Sequence, residues 1–253
     1  MNTSRIEPIE AARRIFRERY EGARVLFLAG SLMRGEATPT SDLDIVVVYE
    51  RLPNAYREAF VYEGWPVEAF VNDAETVEHF FESDRRRGLP AMMSMLMEGV
   101  EIPEASEFSS ELKRRASEIF EAGPPPLGED EMHLRRYRLT DWVDDIRHPR
   151  SPEELVATGA YLYSDAADFF FRSRNLWSSH SKTIPRRMRE ADALFAERFR
   201  HAFDALFAEK NNAPAIVLVE ELLAPFGGIL FDGFRKDAPP EDRKQLDART
   251  EKQ

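Results

Sequence analysis

Residues 24–49 read RVLFLAGSLMRGEATPTSDLDIVVVY, and this stretch decides the fold of the first half of the chain. RVLFLAGS, residues 24–31, is apolar after Arg24 and ends in small residues, the pattern of a buried strand. A polar loop follows, LMRGEATPTS, and then DLDIVVVY, whose β-branched residues predict a second strand. Asp42 and Asp44 stand two residues apart, so a strand directs both carboxylates to one face. Ile45 to Val48 make that an apolar strand, where a carboxylate pair is costly unless it lies at the sheet's end or holds a cation. Two carboxylates so placed suit Mg²⁺, which takes a few carboxylates together with phosphates and water.

Working outward, WPVEAFV over 65–71 predicts a third strand with Glu68 inside an apolar run. If it pairs with the Asp strand, three carboxylates converge. Gly30 and Ser31 close the first strand. A glycine there admits an oxyanion close to the backbone, and the Ser31 hydroxyl with the following N–H groups can hold a phosphate. A helix starting at Ser31 would add the favourable partial charge of its N-terminus. A phosphate cradle beside carboxylates that hold a cation is apparatus for phosphoryl or nucleotidyl transfer.

Around this core the chain alternates short strands with helices as far as AGPPPLGED, and reads as helical beyond it. An amphipathic helix is predicted over Ile9–Tyr20, further helices over AETVEHFFESD and LPAMMSMLMEG, an edge strand at GVEIP, and a helix from Ser109 to Glu121. Pro124, Pro125 and Pro126 form a stiff spacer. Four helices are expected after it. The second is capped by Ser151 with Pro152 at its first position, and the third runs from near Pro185 with Phe195, Phe199 and Phe203 on one face. The expected fold class is α+β: a small mixed β-sheet domain over 1–123, an all-α helical bundle over 124–232, and a flexible tail over 233–253.

Composition narrows the chemistry. The 253 residues carry 35 Lys+Arg against 46 Asp+Glu, a net charge of −11. That balance argues against nucleic acid as a partner and suits a small or cationic one. The absence of cysteine excludes disulfides, thiolate metal sites and a cysteine nucleophile, and the five histidines show no HxxxH or HxH pairing for zinc. No apolar run approaches a membrane span and no targeting segment is visible, so the expectation is a cytoplasmic protein with no membrane partner.

In order, Gly30-Ser31, ten intervening residues, Asp42-Leu43-Asp44-Ile45 and Glu68 resemble the nucleotidyltransferase superfamily typified by DNA polymerase β. The fuller run G-S-x-x-x-G-x-x-x-P-x-S-D-L-D is similar to that of bacterial aminoglycoside nucleotidyltransferases, and the likeness is strong over about 24–73. The resemblance implies Asp42 and Asp44 as Mg²⁺ ligands, two ions being expected, and Gly30 and Ser31 as nucleotide contacts. It makes Glu68 the third carboxylate, sharing metal or serving as general base. It implies ATP or another nucleoside triphosphate as substrate, and an aminoglycoside as the leading acceptor. The helical half is similar to the bundle of the kanamycin enzymes, with the active site between the two domains, Lys182 reaching the triphosphate, and homodimers common.

Other readings compete. Asp141, Asp144 and Asp145 either bind the amines of a cationic acceptor or form a solvated helix face. Trp142, Tyr161, Tyr163 and Trp177 either line an acceptor pocket or are core. Arg174-Asn175 followed by His180 fits the R-N-x4-H pattern of HEPN-domain ribonucleases, an alternative function. A silent nucleotide-binding or antitoxin-type protein is the third.

Overall fold

The computed structural model describes residues 5–240 and Asp242. The chain divides into two compact units, Met1–Pro125 and Pro126–Gln253.

The first unit is a five-stranded mixed sheet with four helices. It begins with α1 (Pro8–Arg19), which has proline in its first turn and buries Ala11, Ala12 and Ile15. Strands β1 (Val25–Ala29), β2 (Leu43–Tyr49), β3 (Tyr56–Tyr62) and β4 (Trp65–Asp73) follow. Then come α2 (Ala74–Arg87), α3 (Ala91–Glu98), β5 (Val100–Ile102) and α4 (Glu107–Ala122). The spatial order is β3-β4-β2-β1-β5, with β2 and β4 parallel and the other neighbours antiparallel. The expected edge strand at GVEIP is β5, paired to β1.

β2 lies at the centre of the sheet, which is why its Ile45–Val48 run is apolar on both faces. On one face Leu43, Ile45 and Val47 join Leu26, Leu28, Val67, Ala69 and Val71 under the apolar stripe of α1. The alternate residues, Asp44, Val46 and Val48, share the other face with Phe27, Glu68 and Phe70, as the strand register requires.

Strand β3 is absent from the sequence reading. Its burial alternates between exposed and half-buried: it is an edge strand whose Phe60 and Tyr62 pack against the core from one side while Arg57, Ala59 and Val61 stay exposed. Its turn into β4 uses Glu63 at φ 45° and Gly64 at φ 83°, the two positive angles of a tight hairpin. At the far end of β4, Asp73 caps α2, its carboxylate accepting the Thr76 N–H at 2.9 Å. Asp73 also accepts the Leu52 N–H at 2.9 Å, which ties the β2–β3 loop to the same point.

The second unit is helical: α5 (Glu129–Arg147), α6 (Pro152–Arg172), α7 (Ile184–Ala191), α8 (Ala193–Glu209) and α9 (Ala213–Leu223). Ser151 caps α6 through the Glu154 N–H and Pro152 opens it, as the sequence predicts. The single helix expected from Pro185 through Phe203 is two. Asp192 leaves the helical region at φ −157° and ψ 101°, and its carboxylate accepts the Phe195 N–H at 2.9 Å to start α8. The cap competes with helix continuation and wins. The unit's core joins Leu139, Val143, Leu162, Phe169, Phe203 and Leu218. Phe195 stacks on Phe170 at 4.3 Å between ring centres, and Phe199 meets Phe203 at 4.6 Å.

After α9 the chain turns at Gly227 and Gly228, whose carbonyls accept from Arg136 at 2.9 and 3.0 Å. In the segment expected as a tail from 233, Phe234 stacks on Tyr137 at 4.0 Å. Residue 241 and the rest of that tail, 243–253, lie outside the described residues. Among the described residues no helix is long and apolar enough to cross a membrane.

Candidate active site

The two Asp residues and Glu68 meet on one face because of strand register. Parallel pairing sets Asp44 opposite Glu68 and Leu43 opposite Val67, while β1 sets Ala29 opposite Asp44. Asp42 immediately precedes β2. All three carboxylates are half-buried, Asp42 and Asp44 at the start of β2 and Glu68 within β4.

Gly30 follows β1 at φ +82°. A Cβ there would stand 2.2 Å from Asp44 Oδ2 and 3.0 Å from Asp44 Cγ. The Asp44 carboxylate therefore lies against the bare α-carbon of residue 30, a space only glycine leaves open.

The loop between the strands is built from turns and hydroxyls. Glu36 N–H donates to Ser31 O at 2.9 Å, and Gly35 N–H to Leu32 O at 3.2 Å. No helix begins at Ser31; 31–35 are turns, so an anion there would rely on the hydroxyl and local N–H groups rather than a helix terminus. Ser31 Oγ and Ser41 Oγ are 3.2 Å apart, and Ser41 Oγ accepts the Thr38 N–H at 2.8 Å. The hydroxyl that precedes Asp42 thus closes the loop back onto Ser31. Arg34 anchors its middle, pairing with Glu36 at 3.0 Å and Glu98 at 2.9 Å.

The gathering of three carboxylates expected from the sequence is met by the backbone and not by the side chains. Among the described residues no three His, Cys, Asp or Glu side chains close around one point. The Glu68 carboxylate is ion-paired to Arg57 of β3. The donor set still fits a hard divalent cation: oxygens only, with Asp44 and Glu68 paired on one sheet face and Asp42 just ahead of them.

Lys182 belongs to the second unit, exposed in a 3₁₀ turn over Ser181–Thr183 that leads into α7. Asp141, Asp144 and Asp145 are exposed on α5. Partial burial, then the charges of Asp145 and Asp144, raises the Asp141 pKa. Trp142 stacks on Tyr161 at 5.4 Å and donates to Asp165 at 2.8 Å, whereas Tyr163 packs edge-on against Phe199 and Phe203 in the core. Trp177 is buried. Arg174 serves the end of α6: it donates to Phe170 O at 3.1 Å and lies over the Phe170 ring at 4.4 Å. His180 is exposed.

Ser41 and Arg57 escape sequence reasoning. Ser41 stands next to Asp42 and had a signal in its place within the motif. Arg57 had none, because its strand was not foreseen.

Residues 9–87 match the nucleotidyltransferase domain family. The match runs from α1 to the end of α2 and contains Gly30, Ser31, Asp42, Asp44 and Glu68. Among solved structures, the chain is similar to a nucleotidyltransferase-like protein from Exiguobacterium sibiricum 255-15, with 14% identity, 85% of this chain and 74% of that one covered, and a TM-score of 0.44. No curated protein matches. The first unit thus carries, over residues 9–87, a nucleotidyltransferase domain, the domain of a transferase enzyme.

Proposed function

We propose that the protein moves a nucleoside monophosphate from a Mg²⁺-bound nucleoside triphosphate, ATP foremost, to a hydroxyl of a small cationic acceptor of the aminoglycoside kind. The observation that carries this reading is the β2–β4 register, which sets Asp44 opposite Glu68 at the strand end where Gly30 opens the backbone. Asp42, Asp44 and Glu68 would hold the cation, two ions being the expectation. Bound there, the cation supplies charge compensation to the triphosphate.

The chain's own groups do the remaining work. The Ser31 hydroxyl and the N–H groups that follow Gly30 donate to a phosphate oxygen, while Gly30 itself leaves the space that the Asp44 carboxylate fills. Glu68 accepts the proton of the acceptor hydroxyl. The acceptor oxygen forms its bond to the α-phosphorus as the bond from that phosphorus to the bridging oxygen breaks, and pyrophosphate leaves. Lys182 offsets the charge on the departing phosphates. The net charge of −11 and the exposed Asp141, Asp144 and Asp145 favour a cationic acceptor.

Mass spectrometry tests this reading. Protein, Mg²⁺, each of the four nucleoside triphosphates and a panel of aminoglycosides are incubated together, with Asp44→Asn as control. One acceptor should gain the mass of one nucleoside monophosphate, and Asp44→Asn should abolish the gain. Turnover of triphosphate with no aminoglycoside product rejects the acceptor class; modification of the protein itself identifies a protein acceptor instead.

A further inference from the structure

Arg57 reaches Glu68 from the edge strand. It sits in β3 opposite Phe70, two residues along the ladder from the pair Ala59–Glu68 and so on the same face of the sheet. Its guanidinium lies over the Phe70 ring at 5.0 Å and forms an ion pair with the Glu68 carboxylate. The two partners are unequally placed: the Arg57 side chain is 62% exposed and that of Glu68 28%. An exposed guanidinium on a half-buried carboxylate is a weak, water-screened partner that is displaced at small cost. Its site of attachment is the carboxylate that completes the acidic face with Asp42 and Asp44.

We infer that Arg57 is a positioning residue that holds Glu68 toward β3 and competes with the divalent cation for that carboxylate, so that the site loads by exchanging a guanidinium for a metal ion. The inference rests on the reading of Asp42, Asp44 and Glu68 as cation ligands. The physical grounds are two. A guanidinium takes up the carboxylate lone pairs that a cation needs. Its unit charge also repels a doubly charged ion placed beside it. In return, it offsets the charge of Glu68, which shares a sheet face with Asp44.

The test is a Mn²⁺ titration of the full chain, read as free Mn²⁺ by electron paramagnetic resonance. Removing one unit charge about 8 Å from a divalent ion at water-like dielectric, together with its hold on the Glu68 lone pairs, predicts that Arg57→Ala binds Mn²⁺ at least about fivefold more tightly than the wild type. Arg57→Lys keeps the charge and should stay near wild type. In a Glu68→Gln background the contest for that carboxylate is gone and only the through-space repulsion remains, so Arg57→Ala should gain clearly less than it does in the wild-type background. A residue with a merely structural role would give unchanged or weaker binding on truncation, and that result in Arg57→Ala overturns the inference. Asp44→Asn separates the two claims. Binding lost in Asp44→Asn but unchanged in Arg57→Ala sinks the exchange alone. Binding that survives in Asp44→Asn, or that is absent from the wild type, sinks the carboxylate reading and the exchange with it.

Discussion

Gly30→Ala is the substitution on which the site's geometry makes its sharpest demand. Two costs add. At φ +82° a Cβ meets the backbone strain of the left-handed region, roughly 1–2 kcal/mol. The new methyl would also stand 2.2 Å from Asp44 Oδ2, so the carboxylate must move, and overpacking of this kind costs about 1–3 kcal/mol. The expected loss is therefore about 2–5 kcal/mol for Gly30→Ala. Gly22 is the matched control: its φ is +81° and a Cβ there meets nothing within 4 Å. Gly22→Ala should cost the strain alone, about 1–2 kcal/mol, and leave transfer intact. Trp65 is buried in the first unit, and the other two of the three tryptophans, Trp142 and Trp177, lie in the second. Urea unfolding followed by tryptophan fluorescence in a Trp142→Phe, Trp177→Phe background then reports on the unit that holds Gly30. A larger loss for Gly30→Ala than for Gly22→Ala, with transfer abolished in the first only, is the expected pattern. Equal losses, or a fully active Gly30→Ala, would refute the placement of Asp44 over residue 30.

Asp73 should show a pH signature. Its carboxylate accepts the Thr76 and Leu52 N–H groups, and the Thr76 bond first among these holds its pKa below the ordinary 3.8. A lowered native pKa means the stabilisation is complete above 3.8 and is lost as pH falls through the native value. Asp73→Ala should cost about 1–2 kcal/mol near neutral pH, and urea titrations at stepped pH should find that gap closing below 3.8; a gap that stays constant into acid contradicts the account. In the second unit, Phe203 is 2% exposed and lies 4.6 Å from the Phe199 ring centre and 5.0 Å from that of Tyr163. Phe203→Ala should destabilise that unit by about 3–5 kcal/mol in denaturant titrations, and a loss below about 1 kcal/mol would place Phe203 outside the core.

What the sequence reveals follows from which interactions are local. The Val25–Ala29 and Leu43–Tyr49 strands are legible because they are buried on both faces and so carry unbroken apolar runs. The pairing of the Asp strand with the Glu68 strand was conditional on sequence alone, and it holds with Asp44 opposite Glu68. β3 was illegible because an edge strand with one covered side keeps charged residues such as Arg57 and Glu58. Missing β3 meant missing Arg57, and with it the reason the Glu68 carboxylate is turned aside. The break at Asp192 was hidden for another reason. Phe195, Phe199 and Phe203 keep helical spacing on their own, and nothing in that periodicity reports that an aspartate just before them caps a new helix.

In the proposed reaction, nucleotide transfer depends on the carboxylates of Asp42 and Asp44. The measurement that tests it most directly is the rate of Mg²⁺-dependent pyrophosphate release, with nucleoside triphosphate and acceptor, in the wild type, Asp42→Asn and Asp44→Asn. Each rate is read beside the urea midpoint of the same protein. Both variants should lose on the order of a thousandfold or more, with unfolding midpoints close to wild type. Near wild-type release in both variants would contradict it.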